Sequence, residues 1–329
     1  MLQTKKRIVV MGGGNGSAVT LNAVKQLTDT CDISAVISML DSGYSTGAIR
    51  KFFDMLPPGD ILRAILAMSP YNFQILKKIF YKNRISTLKK LNGDLNASRG
   101  PSLGNVFIAL TTQYEGDFVR AIRSLEEVLE TVGHAYPSTL KQADLIVELS
   151  NGDIIRGETH IDEPTYDRNL RIKKAYVEPY VEAYPDALDQ IKQASCIVFG
   201  PGDLYTSIVA SLLPQGIQEA IKQSPAKLVY VVGNAYHTHG ETGPTTLSEF
   251  ISELELYLPR PLDYILFNNA QLNKNQLALY ARREWSLIEQ DITPDIDKRI
   301  IAGDYERSSG GLCSDKLARM FKKLSTKCN

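Results

Sequence analysis

Five short apolar runs punctuate the chain: RIVVM (7–11), ISAVISML (33–40), SCIVFG (195–200), KLVYVVG (227–233) and DYILFN (263–268). Each is continuous rather than alternating, the pattern of a strand covered on both faces. Apolar residues at helical spacing fill the segments between them. The pattern predicts an α/β fold, a doubly wound, mostly parallel Rossmann-like sheet. Between about 135 and 181 the texture changes. DLIVELSNGDIIRGETHI sets two β-rich runs around Asn151-Gly152, a hairpin signal, and RIKKAYVEP supplies a third strand. This segment reads as a β-rich insertion or flap within a single 1–329 domain, covering a sheet edge or forming a subunit contact. Its apolar strands make a homo-oligomer reasonable.

Composition narrows the class without naming a function. The 329 residues are 43% hydrophobic and 22% charged, with Lys plus Arg and Asp plus Glu balanced at 37 each. No global charge argues for nucleic acid or a membrane surface. A local basic stretch, KKIFYKNRISTLKK (77–90), reads equally as a solvated helix face and as an anion or partner patch. Cys31, Cys196, Cys313 and Cys328 show no metal-ligand spacing, and Cys196 sits in an apolar run where a buried thiol is expected. Without a leader pattern or an apolar run of spanning length, the expectation is a cytoplasmic protein with no membrane insertion.

In an open α/β sheet the ligand crevice lies at the carboxyl ends of the strands, so the residues just after each run carry the chemistry. The first run is followed by Gly12, Gly13, Gly14, Asn15 and Gly16. Backbone amides and a helix amino end there suit an anion. The dinucleotide fingerprint fails at its last place, where Ser17 stands, and no Walker lysine follows. After the second run LDSGYSTGAIR places Asp41, Ser45 and Thr46 in a glycine-bearing loop. Asp41 could accept hydrogen bonds from a ribose, hold a metal, or simply shape a turn. GPGDLYTSI, after the third run, brings Gly200, Gly202, Asp203, Thr206 and Ser207 to a second turn into a helix. The fourth run leads to Asn234, His237, His239 and Glu241. The last three alternate like zinc ligands on an extended segment, although loop histidines more often face solvent or a ligand. Asp60 and Arg63 in LPPGDILRAIL, and Ser102 and Asn105 in PSLGN, mark two further helix starts. Arg63 could reach a phosphate, while Asp60 reads equally as an N-cap.

These segments, GGGNG, LDSGYSTGAIR, LPPGD, SLGN, GPGDLYTSI and GET, occur in the order found in the CofD-like superfamily and look most like its YvcK branch, the gluconeogenesis factors. The likeness runs from about Arg7 to about Asp291. It implies two functional branches. CofD enzymes move a phospholactyl group from a nucleotide-activated donor to a hydroxyl acceptor with a divalent metal, whereas YvcK-like proteins bind UDP-sugars and influence cell-wall metabolism and cell shape. The chain departs from the YvcK-like pattern at Ser42, where a second aspartate is common, and at Tyr44, Asn15, Pro101 and His237. A neutral hydroxyl at Ser42 weakens any metal site that needs both carboxylates. The expectation is a cytosolic binder of a nucleotide diphosphate ligand such as a UDP-sugar. The alternative is a CofD-type transferase with Asp41 as its catalytic candidate and Asp41 and Asp203 holding Mg²⁺. An NAD dehydrogenase is disfavoured by the broken fingerprint.

Overall fold

The computed structural model describes residues 5–85 and 100–325. Cys328 and the end of the basic stretch (86–90) lie outside the described residues, as do the side chains of Tyr44 and Ser45. Among the described residues twelve strands form, in chain order β1 (Lys6–Gly12), β2 (Cys31–Ile37), β3 (Gly133–Pro137), β4 (Asp144–Leu149), β5 (Ile154–Arg156), β6 (Ile172–Glu178), β7 (Cys196–Phe199), β8 (Lys227–Gly233), β9 (Ala235–His237), β10 (Tyr264–Asn268), β11 (Trp285–Leu287) and β12 (Ile300–Gly303). Seven of them make one sheet in the order β12-β10-β8-β7-β1-β2-β3. Every pairing within it is parallel. The strand order reverses direction between β1 and β7, the place where an open α/β sheet forms a crevice.

The continuous apolar runs are explained by cover on both faces. Ile8, Val10, Ala35 and Val198 pack on one side with Leu21 of α1 (Gly14–Val24) and Leu62. Val9, Met11, Val36 and Phe199 pack on the other with Ile208, Ile221 and Leu254. On the first side α1 is followed by α2 (Tyr44–Phe53), α3 (Gly59–Met68), α4 (Phe73–Leu76), α5 (Leu103–Glu115) and α6 (Phe118–Val128).

The insertion is a three-stranded antiparallel sheet ordered β5-β4-β6. Gly152 takes φ +91° in the turn that joins β4 to β5, a conformation glycine adopts without strain. A short helix, α7 (Glu158–Asp162), follows β5 and packs back toward the second glycine loop. At the start of the span read from the sequence as the insertion (135–181), residues 133–137 form β3 and pair with β2 in the main sheet. That strand and β12 close the two edges. Both are short and carry Gly or Pro, so neither shows the unbroken apolar run of a central strand.

Candidate functional site

At the carboxyl ends of β1, β2, β7 and β8 opens a cleft of 1160 Å³, large enough for a ligand with more than one chemical part. Its floor is the first glycine turn. Gly13 precedes α1 in extended backbone, and among the described residues no side chain caps that helix. The first-turn amides of Gly14, Asn15 and Gly16 are therefore left as donors at the positive end of the helix. One position there requires glycine: a Cβ on Gly16 would run into the Pro201 carbonyl, backbone that cannot step aside, whereas one on Gly13 would meet only the carboxylate end of Asp60. The β1 and β7 turns thus touch backbone to backbone, with Asp60 lodged beside the loop.

The second loop contributes carboxylate chemistry. Asp41 Oδ1 accepts from the Gly43 amide at 2.8 Å. Burial, with Asp60 adding repulsion, raises its pKa to about 6 against the pull of Gly43, Arg63 and Thr46. Asp60 occupies the first turn of α3, and Arg63 one turn on donates to its Oδ1 at 2.5 Å and to the Tyr81 hydroxyl. Burial opposes the charge on Arg63, yet Asp60, Tyr81 and Asp41 hold its pKa above the ordinary arginine value. Arg63 thus pairs with Asp60 at the cleft wall, while its buried Nε has no hydrogen-bond partner among the described residues.

The insertion supplies a wall that the sequence alone did not reveal. The Ser42 amide donates to Glu158 Oε2 at 3.4 Å, and the Ser42 hydroxyl lies 3.3 Å from Thr159 Oγ1. Burial, then Asp41, Asp162 and Asp60, push Glu158 up to about 8. Asp162 rises to about 6 through burial and Asp203, with His237 pulling it back. Glu158 and Asp162 line the cleft together with Tyr81, Arg84 and Trp285. The only hint of Glu158 in the sequence is its place in the hairpin-to-helix turn GETHI, which carries no chemical signature of its own.

The second glycine turn is arranged differently. Asp203 precedes a π-helical turn, Leu204–Val209, and its pKa is raised by burial despite His237. Glu241 reaches the amino end of that turn, accepting from the Tyr205 amide at 2.9 Å and 3.1 Å and from the Thr206 amide at 2.9 Å. Burial and Asp203 raise Glu241 to about 8, against the two amides. The chain turns at Gly240, whose amide donates to the His237 carbonyl at 3.1 Å. His237 and His239 stay exposed while Glu241 folds inward, so the three do not converge as the alternating pattern allowed. Among the described residues no group of three or more His, Cys, Asp or Glu is placed to hold a metal ion.

The remaining candidates divide. Gly13, Gly14, Asn15, Gly16, Asp41, Thr46, Asp60, Arg63, Gly202, Asp203, Thr206, Ser207, Asn234 and Glu241 all line the cleft. Asn234 is engaged there, accepting from the Tyr280 hydroxyl at 3.1 Å and donating to Glu306 at 3.3 Å. Gly12 and Gly200 lie behind the lining, at the strand ends that shape the two turns. Ser102 accepts from the Asn105 amide at 3.2 Å as the cap of α5, and both residues are buried away from the cleft.

Comparison with known proteins agrees with this architecture. The family model described as 2-phospho-L-lactate transferase CofD matches residues 8–304. A relative from Thermotoga maritima is 34% identical over 299 residues, spanning 91% of this chain and 90% of its own. A protein of Halalkalibacterium halodurans named gluconeogenesis factor is 34% identical over 282 residues, 85% of this chain and 83% of its own. A crystal structure of a Bacillus halodurans member of the UPF0052 family superposes with a TM-score of 0.83 at 29% identity, covering 97% of this chain and 99% of that one. With a family match over nearly the whole sheet and relatives above 30% identity over most of both chains, the chain belongs to the CofD-like family, in the YvcK-type branch of the gluconeogenesis factors.

Proposed function

We propose that the cleft binds a nucleoside diphosphate ligand, a UDP-sugar in first place, and that the protein uses this binding to regulate carbon flow toward the cell envelope and cell shape. The observation that carries the reading is the open amino end of α1, lined by Gly13 to Gly16 and set in the cleft with no side-chain cap among the described residues. Diphosphate oxygens would accept from those amides. Asp41 and Asp203 would take sugar or ribose hydroxyls, and Thr206 and Ser207 would add donors. The YvcK-like motifs and the relatives named gluconeogenesis factor support the regulatory half of the proposal. Calorimetric titration with UDP-N-acetylglucosamine, UDP-glucose, GDP and NAD tests it, with Gly13→Val as the control. Tight UDP-sugar binding that Gly13→Val abolishes while the protein stays folded is the expected result. Equal affinity in both proteins would sink the assignment.

A second reading, a CofD-type transferase, is favoured by the family match and by two cleft carboxylates from separate loops. Mg²⁺ is commonly held by one or two carboxylates together with phosphate oxygens, and Asp41 and Asp203 have that chemistry. Bound there, the ion would neutralise charge on a phosphoryl group. Binding of a guanine nucleotide that appears only with Mg²⁺ would shift the assignment to this branch.

A further inference from the structure

The cleft changes character from one end to the other. Near the carboxyl ends of β1 and β2 it is charged: Asp41, Glu158 and Asp162 line it, and Lys77 Nζ donates to Asn15 Oδ1 at 2.8 Å at the first turn of α1. Beyond β8, where β9 and β11 form their small sheet, it is lined instead by Val232, Tyr236, Phe250, Trp285 and Leu312. Trp285, the one tryptophan of the chain, begins β11 opposite His237 of β9. Its ring meets that of Tyr280 edge-on with centroids 5.2 Å apart, and the Arg283 guanidinium lies 4.8 Å from its centroid. Tyr280 is itself fixed, its hydroxyl shared between Asn234 Oδ1 at 3.1 Å and the buried Glu306 carboxylate at 3.0 Å. The indole is thus set in place by protein contacts, while its N–H has no acceptor among the described residues. A held ring with an open donor suits a planar heterocycle that carries carbonyl groups.

We propose that Trp285 is the contact for the base of the nucleoside diphosphate, and that the ligand lies along the sheet with its base beyond β8, its diphosphate at the β1 turn and its sugar toward Asp41 and α7. The assignment rests on the nucleotide-binding reading above and gives that ligand a direction. In the sheet β2 and β8 stand three strand steps apart, about 14 Å at the usual spacing of ~4.8 Å. One small group cannot touch both ends, so a ligand that fills the cleft has unlike parts. A base buries planar apolar surface and gains at the aromatic end, whereas at the other it would strip water from carboxylates without replacing it. Sugar hydroxyls have the opposite preference, since carboxyl groups accept from them and, when protonated, donate to them.

Because the chain has one tryptophan, its emission reports on this end of the cleft. The test is titration of the full chain with UDP, UDP-glucose and glucose 1-phosphate, followed in parallel by tryptophan fluorescence and by calorimetry. UDP and UDP-glucose are expected to quench the emission to the same extent at saturation, and glucose 1-phosphate to leave it unchanged. Trp285→Ala should weaken UDP on the order of tenfold, the usual worth of a base on an aromatic ring, and Trp285→Phe should recover most of the loss. Thermal unfolding confirms that each variant is folded. UDP binding seen by calorimetry with unchanged wild-type emission would overturn the assignment while leaving the nucleotide reading intact, as would unchanged UDP affinity in Trp285→Ala. Quenching by UDP-glucose or glucose 1-phosphate but not by UDP would put the sugar at Trp285 and overturn it as well. Failure of wild type to bind UDP and UDP-glucose alike would overturn both.

Discussion

The neighbouring strands β1 and β7 each end in a glycine turn that opens into a helical turn, and the two turns press backbone against backbone at Gly16 and Pro201. What meets the helix amino end differs between them. At α1 the first-turn amides are uncapped and face the cleft. At the β7 turn the amides of Tyr205 and Thr206 are taken by Glu241, which arrives from a loop beyond β8. Similar local sequence thus produces one donor set available to a ligand and one satisfied internally. A glycine-rich turn makes an anion site available only when the rest of the chain leaves it so.

The contact between the turns is the most sensitive point. Gly16→Ala would drive a methyl group into the Pro201 carbonyl, and backbone on both sides limits relief. It is expected to destabilise the protein by about 3 kcal/mol and to abolish nucleotide binding, as read by urea unfolding and calorimetry. A Gly16→Ala protein with wild-type stability would show that the turns do not support each other.

Next comes the carboxylate that closes the second turn. Glu241→Ala leaves two amides without their acceptor and should cost about 2 kcal/mol in urea unfolding. Glu241→Gln keeps one carbonyl acceptor and should lose clearly less. Equal losses would mean that packing around Glu241, rather than acceptance from the amides, distinguishes the two turns.

The acidic wall predicts a pH dependence with a definite sign. Glu158 and Glu241 titrate near 8 and Asp41 and Asp162 near 6 in the folded protein, all above the usual carboxylate range. Below the unfolded values both states are protonated and no stability is lost. As pH rises from there toward 8, the unfolded chain gives up these protons first, so folding stability falls. Replacing Glu158 by Gln should flatten that fall, measured as the denaturation midpoint across the same window. A wild-type midpoint that climbs toward pH 8 would contradict the arrangement of the wall.

The smallest effect belongs to a third helix start. Ser102→Ala removes the cap of α5 and should cost about 1 kcal/mol while leaving UDP-sugar affinity unchanged, since Ser102 lies outside the cleft lining. A loss of affinity in that variant would extend the site to α5.

Much of this was legible in the chain. The run RIVVM followed by GGGNG announces a buried strand and a turn that can approach a ligand, and Asn151-Gly152 announces the hairpin, because each signal is complete within a few residues. The placement of Glu158, Asp162 and Lys77 was not legible. Ser42 gave a local sign of altered loop chemistry, yet only the fold shows its amide and hydroxyl turned to Glu158 and Thr159 across the insertion. His237 and Glu241 looked like partners on an extended strand until the turn at Gly240 separated them.

By itself the sequence determined the parallel sheet, the positions of its glycine turns and the antiparallel insertion. Apolar periodicity and the conformational freedom of glycine act over a handful of neighbouring residues. The tertiary structure decided which turn stays open, that Arg63 pairs with Asp60, and that an ammonium stands beside Asn15. Those outcomes depend on groups far apart in the chain, whose mutual distance is set only when the sheet is covered on both faces.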